Sequence, residues 1–218
     1  AFFKLCQNQK AAKDGEIPIL AYNPHPYPVE GDFECEFVLA DQNRTGTFYL
    51  PTVFMDEKEI PSQPSKEESN IPIDWRKKVA FHAKLPPMQV SRFDCKLKEI
   101  PTKPVAIPKE DEDHFLIDGN GMRVKINKKT GLMDSCVISG KEYLGQSAMS
   151  IDVYRDDEDP WGMRVRGWHE KIGAFTLLSP EDGSAYSSVD TVIPSVRFIE
   201  DGAVRTTVEA VFGYSSSK

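Results

Sequence analysis

The chain has 218 residues, a net charge of −7, 39% hydrophobic and 28% charged residues. That is ordinary soluble globular composition, with room for one large β domain or two small ones. The acidic balance speaks against a nucleic-acid partner, which needs a basic stripe, and no apolar run reaches the ~20 residues that span a bilayer.

Residues 1–15 open the chain. Ala1 to Ala12 has the spacing of a short helix, with Phe2, Phe3 and Leu5 apolar, and Lys13-Asp14-Gly15 ends it. There is no charged segment followed by a long apolar core, so no signal peptide is read here. The absence of an initiator Met suggests a cut or processed start. The next segment, EIPILAYNPHPYP (16–28), pairs an apolar run with an Asn-Pro and two further prolines. Proline lacks an N–H and biases its predecessor toward extended geometry, so a strand ending in a stiff turn is expected.

From Asp32 the period is two. Phe33, Cys35, Phe37 and Leu39 alternate with polar residues, and Thr47 to Phe54 reads as another strand. Met55 to Asp74 is polar and proline-rich, the pattern of a hairpin excursion or mobile surface loop. Val79, Phe81, Ala83 and Leu85 line one face of the next strand, and Phe93, Cys95 and Leu97 one face of the strand after Pro86-Pro87. Such strands predict a small antiparallel sandwich over residues 16–98. Residues 99–113, with three prolines and a charged end, read as an extended linker.

A second β unit is expected over 114–218. Met122, Val124 and Ile126 alternate with Arg123, Lys125 and Asn127, and Lys129-Thr130-Gly131 supplies a turn before Leu132 to Ser139. Further strand patterns are Ser150 to Tyr154, Phe175 to Leu178, Ser195 to Glu200 and Arg205 to Phe212. The four cysteines form no CxxC pair, and Cys35 and Cys95 fall at apolar phases, so buried free thiols and a reducing, cytoplasmic setting are expected.

The acidic cluster Asp156, Asp157, Glu158 and Asp159 beside Trp161 offers carboxylates and a ring to a sugar, or hard oxygens to a cation. The plain alternative is a solvated loop. Trp161, Trp168 and His169, with Arg164 and Arg166 between, suit the rim of a carbohydrate pocket or, alternatively, the plug of a sandwich core. Retaining hydrolysis needs two carboxylates about 5 Å apart across the bond, which adjacent loop residues do not supply. His25, His82, His114 and His169 are scattered, without an HxH or HExxH metal pattern, and no GxSxG elbow occurs. Asn43-Arg44-Thr45 fits the glycosylation pattern and is read as a chance match.

Several segments together resemble glycoside hydrolase family 38, the α-mannosidase family: EIPILAYNPHPYP (16–28), KKVAFHAKLPPMQVSRFDCKL (77–97), GNGMRVKINKKTGLMDSCVISGKEYL (119–144), DVYRDDEDPWG (152–162) and IEDGAVR (199–205). Gly162 stands where the family more often has an acidic residue, and Ala203 where it has proline. The resemblance implies an all-β fragment: the small sandwich, then part of a larger, galactose-mutarotase-like antiparallel supersandwich. It implies a parent that hydrolyses α-mannosides with retention. The zinc and the nucleophilic Asp would lie on an α/β barrel that no part of this chain resembles. The fragment is then expected to carry no catalytic residue, cofactor or metal of its own. Asp157, Asp159, Trp161, Trp168 and His169 are its candidate carbohydrate contacts, the catalytic barrel its intramolecular partner, and a homo-oligomer one possible assembly. The alternatives are an autonomous carbohydrate-binding module and a purely structural β domain.

Overall fold

The computed structural model describes residues 4, 6, 7, 9–67, 73–156 and 167–215. It is all-β but for helical backbone at Lys4 and Cys6 and one seven-residue helix. The chain divides into two compact units. The first comprises Ala1–Ala106 with Glu200–Thr206, and the second Ile107–Ile199 with Thr207–Lys218.

The first unit contains β1 (Glu16–Asn23), β2 (Val29–Asn43), β3 (Phe48–Met55), β4 (Lys58–Glu59), β5 (Ser62–Ser65), β6 (Asp74–Leu85) and β7 (Gln89–Ile100). One sheet has the order β1-β7-β3-β4 and the other β2-β6-β5, with antiparallel pairing throughout. Between them lies a core of Ile19, Val53, Phe93 and Cys95 from the first sheet and Val79, Phe81, Ala83 and Leu85 from the second. Phe81 meets Phe33 and Phe93 at centroid distances of 6.0 and 4.9 Å. The apolar phases of β6 and β7 are thus the buried ones. All four cysteines are free thiols. Burial pushes the Cys95 thiol up to about 12, so it packs as a small hydrophobe.

The proline turn is organised by the carboxamide of Asn23, which is buried. Its Nδ2 donates to the carbonyls of Tyr27, Leu85 and Pro86 at 2.9, 3.2 and 3.1 Å, while its Oδ1 accepts from the N–H of His25. Strand β2 lies at a sheet edge and presents an acidic row to solvent. Across it run Glu30–Lys84, Asp32–His82, Glu34–Lys78 and Glu36–Arg76 pairs. Such exposed pairs add little stability, but the charged row guards the edge against pairing with another chain.

Within the polar stretch 55–74, residues 56–65 form a hairpin and a short strand. Asp56 and Glu57, with φ of 50° and 66°, turn β3 into β4, and Ser62–Ser65 pairs with β6 as β5. Gln63 and Ser65 are buried in that strand. A buried polar strand is stable only if its side chains find partners, and Glu200–Thr206 supplies them. Gln63 Oε1 accepts from the N–H groups of Val204 and Arg205 at 2.9 and 3.0 Å, and its Nε2 donates to the Arg205 carbonyl. A Cβ on Gly202 would lie 2.3 Å from Gln63 Oε1, so a side chain there would displace the Gln63 carboxamide from its partners.

The second unit contains β8 (Lys109–Glu110), β9 (His114–Gly119), β10 (Met122–Asn127), β11 (Met133–Ile138) and β12 (Lys141–Glu142) in one antiparallel sheet of order β12-β11-β10-β9-β8. The ladder β8 shortens the irregular part of the stretch expected to be linker. The β10–β11 hairpin turns through Gly131, at φ +71°, where a Cβ would lie 2.8 Å from the Phe212 ring. Beyond it come β13 (Asp152–Tyr154), β14 (Lys171–Ala174), β15 (Thr176–Leu177), helix α1 (Pro180–Tyr186), β16 (Val196–Asp201), β17 (Thr206–Ala210) and β18 (Phe212–Gly213). Their pairs are β13–β14, β15–β18 and β16–β17. Phe115, Val124, Ile126 and Val196 form the core, with Leu177, Phe198 and Val208 packed on it.

Helix α1 is absent from the sequence-based reading, although its start is encoded. Ser179 caps it by accepting from the Asp182 N–H, Pro180 opens it, and Glu181 and Asp182 occupy its first turn.

Replacing Gln63 with Leu strands two backbone N–H groups and a carbonyl. We expect a loss of about 1–3 kcal/mol in urea unfolding, the cost of orphaned buried polar groups. An unchanged midpoint would show that Glu200–Thr206 is not held by this side chain.

Candidate functional site

Of the residues singled out for carbohydrate contact, Asp157, Asp159 and Trp161 lie outside the described residues. Trp168 and His169 are described, adjacent and exposed. Trp168 is 61% exposed, which removes it from the role of core plug. Its indole Nε1 donates to Asp156 Oδ1 at 3.4 Å. Nearby, Arg155 pairs with Glu170 at 2.9 Å, and Lys171 with Asp152 at 2.7 Å across β13–β14. The structure thus offers an exposed indole flanked by ion pairs, and it brings Trp168 beside the start of the acidic cluster.

The histidines do not converge. His25 stacks on Tyr27 at 5.0 Å, and His82 pairs with Asp32 at 2.8 Å. His114 lies between two carboxylates, with Nδ1 3.2 Å from Asp111 and Nε2 3.1 Å from Asp134. Asp134 also accepts from Ser147 and Asn127, and these donors together with His114 hold its carboxyl below the usual range. Here Ser147 hydrogen-bonds the carboxylate rather than the imidazole, so the trio is not a nucleophile with its base. Among the described residues no group of three His, Cys, Asp or Glu is placed to hold a metal ion.

A different site emerges in the first unit, where a cleft of about 590 Å³ opens among Asn43, Thr47, Phe48, Asp74, Arg44, Glu67 and Lys103. Its geometry follows from the phase of β6. Lys77 shares the inward face with Val79 and Phe81, so its side chain enters the end of the sandwich and is only 2% exposed. There it forms an ion pair with Asp74, and its ammonium sits 3.6 Å from the centroid of the Phe48 ring. Burial pushes the Lys77 amine below its ordinary value, and Asp74 only partly offsets that.

The other oxygen of Asp74, Oδ2, accepts from the Tyr49 N–H at 2.7 Å and from Asn43 Nδ2 at 3.4 Å. Asn43 is itself buried. Its Oδ1 accepts from the N–H and hydroxyl of Thr45, and its Nδ2 also donates to the Thr47 carbonyl. The Asn43-Arg44-Thr45 tripeptide therefore serves as the turn that builds one wall, with its amide turned inward. Lys103 reaches across to Glu67, with Nζ 3.1 and 3.3 Å from the two carboxylate oxygens. Sequence reading missed this cleft, yet a signal was present: a lysine at the apolar phase of KKVAFHAKL demands a buried partner.

Arg205 forms the second dense electrostatic centre of the first unit. Its guanidinium bonds Glu200 at 2.7 Å, Glu34 at 2.6 Å and the Ser65 hydroxyl at 3.0 Å. Burial works to raise the Glu200 carboxyl, but Arg205 and the Lys66 N–H outweigh it and hold the group below its usual range. This clasp is structural, since every polar atom named is engaged within the fold.

In the second unit Glu142 is a pH-sensitive clamp. The Ser135 hydroxyl and the N–H groups of Leu144, Cys136 and Tyr143 all donate to its carboxylate, which lowers its pKa to about 2.

Comparison with protein-family models, with curated proteins and with solved structures returned no match. Among the described residues no helix is long and apolar enough to cross a membrane.

Two measurements probe these sites. Lys77→Met or Asp74→Asn alone leaves one member of a buried pair without its counter-charge, and each is expected to cost about 3–5 kcal/mol in denaturant unfolding. The double change Lys77→Met with Asp74→Leu is expected to recover part of that loss, and equal effects of singles and double would contradict the pairing. For Glu142, the folded carboxyl titrates below its unfolded counterpart. Its contribution is therefore complete above the unfolded value of 4.5 and lost as pH falls toward about 2. Melting temperature followed from pH 7 downward should drop less steeply in Glu142→Gln than in the parent chain, and parallel curves would rule the clamp out.

Proposed function

We propose that this chain is a non-catalytic β region of a zinc-dependent, retaining α-mannosidase resembling glycoside hydrolase family 38. The observation that carries this reading concerns Glu200, Gly202 and Arg205. These residues of IEDGAVR match the family's pattern, and each meets a specific demand of the fold. Glu200 accepts from Arg205 and from the Lys66 N–H, Gly202 clears the Gln63 side chain, and Arg205 gathers Glu34, Glu200 and Ser65. The buried Asn23 of the YNPHPYP turn supports the same reading, because its position in the motif coincides with a structural role.

In this reading the chemistry belongs to the parent's α/β barrel. Zinc there would supply Lewis-acid polarisation and an Asp the covalent intermediate, while residues of this chain pack against the barrel and shape the far wall of the sugar pocket. The proposed setting is cytoplasmic, in keeping with four free thiols. A second reading, an autonomous carbohydrate-binding module, is favoured by the exposure of Trp168, a ring free to stack on a sugar face.

The readings separate in solution. The chain alone should leave an aryl α-mannoside intact, and hydrolysis by it would overturn the non-catalytic assignment. Saturable mannobiose binding that disappears in Trp168→Ala would favour the module. The coding sequence upstream of Ala1 is expected to specify a zinc-binding α/β barrel, and a different domain there would overturn the mannosidase reading.

A further inference from the structure

We propose that Asn120, at the tip of the β9–β10 hairpin, is a self-modification site: its side chain condenses with the Gly121 backbone nitrogen, and water then converts it to aspartate or isoaspartate. The connection between β9 and β10 is Asn120-Gly121 alone, because Gly119 and Met122 are already register partners. Both loop residues are exposed, and both lie at positive φ, 51° and 74°. A two-residue hairpin turn of the favoured twist requires that backbone, and Asn-Gly adopts it at least cost. The chemistry balances without an oxidant or reductant. The Gly121 nitrogen gives its proton to water and bonds to Asn120 Cγ, the Cγ–Nδ2 bond breaks, and ammonia leaves as a five-membered imide closes. Water then opens either imide carbonyl. One opening leaves aspartate, and the other leaves a backbone that runs through the side-chain carbon. Glycine at 121 keeps the attacking nitrogen clear of any adjoining side chain.

The fold singles out Asn120 from the other described asparagines. Asn23 precedes a proline, whose nitrogen carries no proton, and its amide is held by three carbonyls. Asn43 precedes Arg44, and its carboxamide is fixed at both ends by Thr45 and Thr47. Asn127 precedes Lys128, donates to Asp134 and accepts from the N–H groups of Lys129 and Thr130. Among the described residues no hydrogen bond holds the Asn120 carboxamide, and no backbone carbonyl accepts from the Gly121 N–H. The Gly121 carbonyl, by contrast, accepts from the N–H of Ser139, the residue after β11, at 2.8 Å. The β9–β10 register sets Ile117 opposite Val124 and Phe115 opposite Ile126 in the core of the second unit. A backbone lengthened by one carbon misfits a loop held that tightly, and the Ser139 bond is the contact nearest the change.

The test is peptide mapping by mass spectrometry on the full chain, incubated folded in neutral buffer, with isoaspartate scored by enzymatic carboxyl methylation. Amide loss is expected first at Asn120, ahead of every other asparagine, with methylatable isoaspartate on the same peptide. Asn120→Gln, which would have to close a six-membered ring, is expected to abolish both signals at that position. Its melting curve checks the fold, and the map of the parent chain decides the matter even where the variant unfolds. Retention of Asn120 while another asparagine converts overturns the proposal, and so does conversion confined to the urea-unfolded chain. In the isoaspartyl product the Ser139 amide is expected to exchange with solvent faster than in the parent, and unchanged exchange there overturns the link to β11. The result is independent of the mannosidase reading, whose failure leaves it standing.

Discussion

The alternation of β6 is the constraint on which the first unit depends. The strand pairs with β2 on one side and β5 on the other, so its side chains have only two directions to take. Val79, Phe81, Ala83 and Leu85 point into the core, and the same phase carries Lys77 inward at the strand's end. A one-residue slip would exchange that whole set with the solvent-facing row. Register is therefore fixed by four apolar side chains, and the buried ammonium is a consequence that the surroundings must accommodate. Asp74, three residues earlier, and the Phe48 ring do so, and the cleft is the space left around them.

Polar burial recurs in the first unit with the same logic. Three buried side chains are met by charge or by backbone: Asn23 by three carbonyls, Gln63 by the Val204–Arg205 backbone, Glu200 by Arg205 and an N–H. These contacts are worth less as sources of stability than as conditions on it, because the loss of one partner leaves the other stranded.

How much of this was legible in the sequence depends on how far each signal reaches. The period-two faces of β2, β6 and β7 and the β10–β11 hairpin follow from local pattern and appear in the structure at the same residues. The all-β class follows from them. Strand β5 was hidden because Ser-Gln-Pro-Ser has no apolar phase, and its partners lie more than a hundred residues away. Helix α1 was hidden by brevity, since its cap and first-turn acids were present without an apolar stripe. For the candidate sites, the aromatic character of Trp168 was readable and its exposure was not. The cleft was missed because it depends on where the turn at Asn43, the segment around Lys103 and the end of β6 meet.

The discontinuity of the first unit gives the chain a timetable. Gln63 and Ser65 emerge from the ribosome early, but the Arg205 that satisfies them is encoded about 140 residues later. At synthesis rates of about 5–20 residues per second, that interval lasts on the order of ten seconds. Until then the buried polar strand β5 lacks these partners. Contacts across so long a sequence separation slow folding more than they cost in stability. Completion of the first unit therefore requires the seven-residue return at Glu200–Thr206.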